Sequence, residues 1–370
     1  SRAPQAFPSR ASMAEARTDV PDNAAAECVG TQSAEAGKAA GCEGCPNQSL
    51  CASGATKAAD PALAAAREAL AGVKHKILVL SGKGGVGKST FSAQLAFSLA
   101  ARDFQVGILD IDLCGPSIPR MLGVEGRAVH ESGSGWEPVW LNENVAVMSI
   151  GFMMPDKDGA VLWRGPKKSG LIKQFLTDVD WGELDYLIVD TPPGTSDEHI
   201  TVAQTMKEAG IDGAVVVSTP QEVAMADVRK ELSYCRKLGI NVMGIVENMA
   251  GFVCPCCKTQ ADIFPRPKDG GPAAMAAAYG LPFLGSLPLD PRMASACEAG
   301  EAFTTMYPDS PAAGPFNAVV DKIVAATDSD EDSETAEDEA EGGGAVVAPA
   351  GVVVSAGGAG GAAPAVASTE

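Results

Sequence analysis

The chain has 370 residues, and 28 Lys and Arg against 47 Asp and Glu leave a net charge of −19. That length holds one large domain or two, and 46% hydrophobic residues suit a globular core. The acid excess argues against nucleic acid as a principal partner, which needs a basic stripe, and ten cysteines are too few for a disulfide scaffold of this length.

Residues 1–27 read as a disordered lead. Ser1–Ser12 holds Arg2 and Arg10 but no acid, which suits part of a transit peptide or translated upstream sequence with Met13 as the true start. The second is preferred, because Met13 opens an Ala/Glu/Asp-rich stretch. With no secretory apolar region in view, the expected compartment is the reducing cytoplasm, where cysteines serve metals or chemistry. Residues 28–60 carry Cys28, Cys42, Cys45 and Cys51 among almost no core-forming side chains. Burial of thiols does not explain them there. Four thiolates within reach of one centre hold zinc or an iron–sulfur cluster, and the spacing leaves the two metals open.

The segment from residue 70 to 327 reads as a nucleotide-binding domain. Lys76–Leu80 is an apolar run of strand length, and Phe91–Ala101 has helical spacing. Between them stands Ser81-Gly82-Lys83-Gly84-Gly85-Val86-Gly87-Lys88-Ser89-Thr90. Strand, glycine-rich turn and helix in that order make a phosphate loop, whose N–H groups close around phosphates at the positive helix end. Lys88 is expected on the β- and γ-phosphates and Ser89 on Mg²⁺. Val106–Ile111 is a strand ending at Asp110 and Asp112, followed by the turn Cys114-Gly115-Pro116-Ser117. Tyr186–Asp190 is a buried strand ending in an acid, expected to hold the Mg²⁺ shell. Asp112, past its strand end, is the better placed acid to orient an attacking water. Thr191-Pro192-Pro193-Gly194-Thr195 forms a rigid turn suited to sensing a γ-phosphate. Further strands are expected at 213–218, 242–247 and 282–286, alternating with helices. The fold class is therefore α/β, a doubly wound and mostly parallel sheet with the phosphates at the strand C-termini.

A second thiol set, Cys254, Cys256 and Cys257, follows the strand at 242–247. Cys254 and Cys257 form a C-x2-C with Pro255 setting the turn. Two thiolates cannot complete a tetrahedral site, so another segment or a second copy of the chain across a two-fold axis completes it; a redox dithiol is the alternative. Cys114, Cys235 and Cys297 read as buried small hydrophobes. Asp328–Glu341 then holds nine acidic residues and no basic one, and Gly342–Thr369 is uncharged. Residues 328–370 are expected to be a disordered tail, with no membrane-spanning run.

The loop with its extra Lys83 resembles the deviant Walker A loop of the MinD-like ATPases. That resemblance implies an ATP-linked sandwich dimer in which Lys83 reaches the partner's nucleotide. The segments Asp112–Ser117, Asp190–His199 and Val246–Pro255 together resemble the Mrp/NUBP family, and the cysteine-rich extension its larger members, over about residues 28–326. The family resemblance implies a scaffold ATPase that assembles [4Fe–4S] clusters and passes them to apo-proteins with downstream assembly factors. It implies one stable cluster on Cys28, Cys42, Cys45 and Cys51, a labile cluster bridging two chains through Cys254 and Cys257, and Asn248 near the adenine. The expected assembly is a homodimer or a heterotetramer with the shorter family paralogue. A MinD/ParA-like positioning ATPase is one rival, although it needs a basic amphipathic element that the acidic C-terminus lacks. A zinc-stabilised, nucleotide-dependent regulatory module is the other.

Overall fold

Apolar runs without alternation read as strands of a parallel sheet buried on both faces. The computed structural model describes residues 24, 28–31, 33, 35–53, 61–113, 115–153, 165–194, 197–254, 256–267 and 270–341. Its strands are β1 Val73–Leu80, β2 Val106–Asp110, β3 His130–Glu131, β4 Trp136–Glu137, β5 Val139–Trp140, β6 Val145–Ser149, β7 Leu184–Asp190, β8 Gly213–Ser218, β9 Val242–Val253, β10 Gln260–Ala261 and β11 Phe283–Leu289. Among the described residues nine of them form one sheet in the order β10-β9-β8-β1-β7-β2-β6-β5, with β11 also on β9. Only the β9/β10 and β5/β6 pairings in it are antiparallel. β3 and β4 make a separate pair.

Alternation within each strand divides the core in two. Leu78 and Leu80 of β1 and Leu187 and Val189 of β7 join the apolar cluster on one face. Ile77 and Val79, with Tyr186 and Ile188, join the cluster on the other. Helices Pro61–Ala69, Gly165–Thr177, Asp197–Glu208, Glu222–Leu238 and Gly271–Tyr279 cover the first face. Helices Lys88–Ala100, Ile118–Met121, Pro291–Ala299, Phe303–Met306 and the start of Ala313–Glu341 cover the second. This is the doubly wound, mostly parallel arrangement read from the sequence. Among the described residues no helix is long and apolar enough to cross a membrane.

Several details differ from the sequence reading. The helix expected from Phe91 begins at Lys88, because Gly87 takes a left-handed φ of 84° and serves as its N-cap. The strand expected to stop at Glu247 runs on to Val253. The chain divides into two compact units, Ser1–Ser329 and Asp330–Glu370, and the last helix, Ala313–Glu341, extends over the acidic run that was expected to lack structure. Phe316, Val319, Val320 and Ile323 bury the start of that helix, so each added residue propagates it without a new nucleus. The readings of 1–23, 25–27 and 342–370, and of Cys114, fall outside the described residues.

Candidate functional site

β1 lies inside the sheet, flanked by β7 and β8. The turn from its C-terminal end to the helix at Lys88 holds Gly82, Lys83, Gly84, Gly85, Val86 and Gly87. Gly85 and Gly87 have φ of 80° and 84°, which turns successive backbone N–H groups to one side as an anion-binding nest requires. Two close approaches mean that any side chain here forces its neighbours to shift. A Cβ on Gly82 would stand 2.5 Å from the carbonyl carbon of Asp227, and one on Gly87 would stand 2.3 Å from Asn248 Nδ2.

Three groups converge on the Asp190 carboxylate at the end of β7. Lys88 Nζ lies 2.7 Å from Oδ2, Ser89 Oγ donates to Oδ2 at 2.7 Å, and Ser92 Oγ donates to Oδ1 at 2.6 Å. Lys88 and Asp190 are both buried, so their attraction acts in low dielectric and each compensates the other's lost hydration. Thr90 follows Ser89 on the first turn of the helix and is half-buried. Lys83 is exposed on the same loop.

On the neighbouring strand, Asp110 sits in register with Asp190 on one side and Ser149 on the other. It accepts hydrogen bonds from Ser149 Oγ at 3.0 Å and from the Asp112 backbone N–H at 3.1 Å. Complete burial, and then the Asp190 charge, push the Asp110 carboxyl up to about 8, so at neutral pH it carries a proton. Asp112 lies two residues beyond, past the strand end and half-buried.

The turn after β7 is tied to the phosphate loop. Thr191 Oγ1 donates to the Val79 carbonyl at 2.8 Å, and the Gly194 N–H donates to the Ser81 carbonyl at 2.9 Å. His199 is buried beneath this turn, edge-on to the Tyr234 ring at 6.2 Å. Burial pulls its imidazole down to about 4, so it stands neutral. Lys168 Nζ holds Glu198 at 3.0 Å and joins helix Gly165–Thr177 to the start of helix Asp197–Glu208.

Asn248 on β9 reaches the loop from the opposite side. Its Nδ2 donates to the Val86 carbonyl at 2.8 Å and its Oδ1 accepts the Met249 N–H at 3.0 Å. The sequence reading missed Ser92, Ser149, Glu247 and Arg266. Ser92 had a usable signal, since it lies one turn after Lys88 and so shares its face of the helix.

The two thiol sets lie elsewhere. Cys28, Cys42, Cys45 and Cys51 line one pocket with Gly30, Ala36, Gly37 and Gly41. The segment is short of apolar residues, and turns shape it. Gly44 has φ of 76° inside the Cys42–Cys45 pair, and a Cβ on Gly37 would stand 2.3 Å from the Ala52 nitrogen. Among the described residues no three His, Cys, Asp or Glu are drawn together so as to hold one metal ion. Cys254 directly follows β9 and Cys257 lies in the turn to β10, with the Cys254 N–H donating to the Thr259 carbonyl at 3.0 Å. Hydrogen bonds from Thr259, and then from Cys254, hold the Cys257 thiol down at about 7. Cys256 and Cys257 are exposed and Cys254 is half-buried. Cys235 and Cys297 are buried; burial drives both thiols above their ordinary range, as expected of small hydrophobes.

A strand entering a glycine-rich turn and a helix, with a buried lysine and hydroxyl on a strand-end carboxylate and a further lysine on the loop, defines a P-loop NTPase of the MinD-like class. The chain belongs more narrowly to the family described as NUBPL iron-transfer P-loop NTPase, of ParA type, whose model matches residues 72–324. Among solved structures it is similar to a nucleotide-binding protein from Archaeoglobus fulgidus in complex with ADP. The identity there is 38%, with 69% of this chain and 96% of that one covered and a TM-score of 0.57. The cell division ATPase MinD of Pyrococcus furiosus matches at 22% identity over 68% of this chain and 99% of that one, with a TM-score of 0.48. A ParA family ATPase from Chlorobium tepidum matches at 18% identity over 68% and 97%, with a TM-score of 0.47.

Proposed function

We propose that the chain is an ATP-binding scaffold that assembles [4Fe–4S] clusters and passes them to apo-proteins in the cytosol. The observation that carries this reading is the position of Cys254 and Cys257, neighbouring thiols on a hairpin of the strand that also braces the phosphate loop through Asn248. A P-loop unit with two neighbouring thiols, one exposed and one half-buried, on a hairpin of its sheet is suited to moving a metal cargo. The 38% identical archaeal protein with bound ADP supports nucleotide binding, and the iron-transfer description of the family supports the cargo.

The residues take these parts. The N–H groups of Gly82 to Thr90 and the Lys88 ammonium hold the phosphates, Ser89 and Asp190 hold Mg²⁺, and Asp112 orients the attacking water. Lys83, exposed on the loop, reaches the nucleotide of a second copy. Cys254 and Cys257 supply two of four ligands to the transferred cluster, and the partner chain supplies the other two. That partner is a second copy or the shorter paralogue. The N-terminal cysteines fit a resident [4Fe–4S] cluster, which supplies one-electron redox chemistry when bound. The four line one pocket, and a thiolate set suits zinc as well as a cluster; the iron-transfer description of the family is what favours the cluster.

Anaerobic purification with iron and sulfide analysis tests the reading. The protein is expected to be brown, and a Cys254→Ala/Cys257→Ala double variant is expected to keep the N-terminal cluster but fail to deliver one to an apo-acceptor. Lys88→Ala is expected to abolish the nucleotide dependence of delivery. A colourless, zinc-replete protein, or delivery by the double variant at the wild-type rate, refutes it.

A further inference from the structure

β9 is bent where it leaves the core. Its register against β11 runs regularly from Glu247 and Asn248, opposite Ser286 and Leu287, and is next met at Phe252 opposite Leu289. The strand thus spends four residues where its neighbour spends two. Inside that stretch Met249 has φ of 55°, a left-handed conformation that disfavours an L-residue and persists only where its surroundings hold it.

Arg266 holds both sides of the bend. Its Nη1 donates to Glu247 Oε1 at 2.6 Å, before Met249, and its Nη2 donates to the Ala250 carbonyl at 2.8 Å, after it. Glu247 is 2% exposed, and its other oxygen accepts from Ser286 Oγ at 2.5 Å. Arg266 itself lies past β10, on the limb of the hairpin that returns from Cys254 and Cys257. On the opposite side of the bend, the Asn248 amide spans the Val86 carbonyl of the phosphate loop and the Met249 N–H. Polar contacts from Asn248 to Val86 and from Arg266 to Glu247 and Ala250 therefore meet on one short stretch of backbone, Glu247 to Ala250, which continues along the chain into the thiol hairpin.

We propose that Arg266, with Glu247, is a positioning clamp that fixes the Cys254–Cys257 hairpin to the phosphate loop, so that occupation of the loop by nucleotide is felt at the two thiols. This rests on the scaffold reading above. The planar guanidinium suits the task because its two arms meet two acceptors in fixed geometry. A lysine ammonium neutralises Glu247 but lacks the rigid fork. A role limited to neutralising the buried carboxylate is therefore rescued by Lys, and the clamp is not.

The test uses the full chain, freed of metal, with the alkylation rate of Cys254 and Cys257 by iodoacetamide read by mass spectrometry with and without Mg-ATP. The wild type is expected to change rate about fivefold or more on adding Mg-ATP, within the usual range of coupling between sites. Arg266→Lys is expected to melt near the wild-type temperature, to hydrolyse ATP at the wild-type rate and to show a ratio near one. Glu247→Gln/Arg266→Gln, which leaves no buried charge unpaired, is expected to show the same loss and keeps the test open should the lysine variant fold poorly. A full Mg-ATP response in either folded variant overturns the clamp, and so does a wild type whose thiols ignore Mg-ATP. Iron and sulfide bound after reconstitution are measured on the same samples. Failure of the wild type to load cluster counts against the scaffold reading, whereas unchanged loading with a lost Mg-ATP response is the signature of the clamp.

Discussion

Replacing Glu231 is expected to stabilise the protein, by an amount that depends on pH in a calculable way. Glu231 lies on helix Glu222–Leu238 with no exposed surface, and neither carboxylate oxygen has a hydrogen-bond partner among the described residues. Burial alone pushes its carboxyl from 4.5 up to about 8. Between those two values the folded chain binds a proton that the unfolded chain has released. Stability therefore falls as pH rises from 4.5 towards 8, is flat above that, and is fully recovered below 4.5. At pH 7 the folded state must hold the proton against 2.5 pH units, which costs about 3 kcal/mol at 1.36 kcal/mol per unit. Glu231→Met, apolar and similar in length, is expected to gain up to that amount more at pH 7 than at pH 4.5, on top of a pH-independent gain from removing the unpaired neutral acid. Urea melts of both proteins across this window give the difference directly. A difference that stays constant with pH refutes the reasoning, because it means that the carboxyl does not titrate with folding.

Other expectations concern the site. Gly87→Ala places a methyl 2.3 Å from Asn248 Nδ2 at a φ of 84°, a strain of roughly 1–3 kcal/mol, so calorimetry should show weakened ADP binding and a lower Tm. Ser92→Ala removes the donor to Asp190 Oδ1 and is expected to cost about 1–3 kcal/mol for a buried acceptor left unpaired, read by urea melts. Asp110→Asn mimics the protonated acid, so nucleotide affinity should match the wild type at neutral pH and exceed it above pH 8, where the wild-type carboxyl ionises beside Asp190. Alkylation of Cys257 should titrate with a midpoint near 7, and Thr259→Val should raise that midpoint towards 9.0 by removing the leading hydrogen bond.

How much of this could be read in advance depended on how local the determinant was. The phosphate loop is one contiguous segment whose glycines and lysines carry their own geometry, whereas the contact of Lys88 and Ser89 with Asp190 needs β7 beside β1. The central strands were legible because burial on both faces leaves continuous apolar runs. The short strands β3 to β5 were not, since two-residue strands such as His130–Glu131 and Trp136–Glu137 carry no periodicity, and the five-residue apolar run of β6, Val145–Ser149, was missed although it is legible on the same ground. Ser149 meets Asp110 only through the register of β6 on β2. Arg266 meets Glu247 only through a fold-back of the chain. The cysteine spacings led to the expectation of a metal, yet the pocket of the first set also depends on Gly37 lying against Ala52, a contact that spacing does not reveal. Asn248 was expected near the adenine from the resemblance alone, and its contact with the loop backbone at Val86 depends on where β9 runs, which the local sequence does not carry.

The route of β9 has one more consequence. Cys254 is the next residue of a strand whose first half is wedged between β8 and β11, so its hairpin is an extension of a strand paired on both sides rather than a loop inserted into the fold. Thiols mounted on a loose loop would have to surrender their freedom each time a ligand arrived, and affinity would fall by that ordering cost. Here most of that freedom was given up when the sheet formed. The stiffness of the core thereby sets how far the thiols can reach. Lengthening the connection between Val253 and Cys254 with flexible residues should loosen the grip on any captured ion without altering a single ligand.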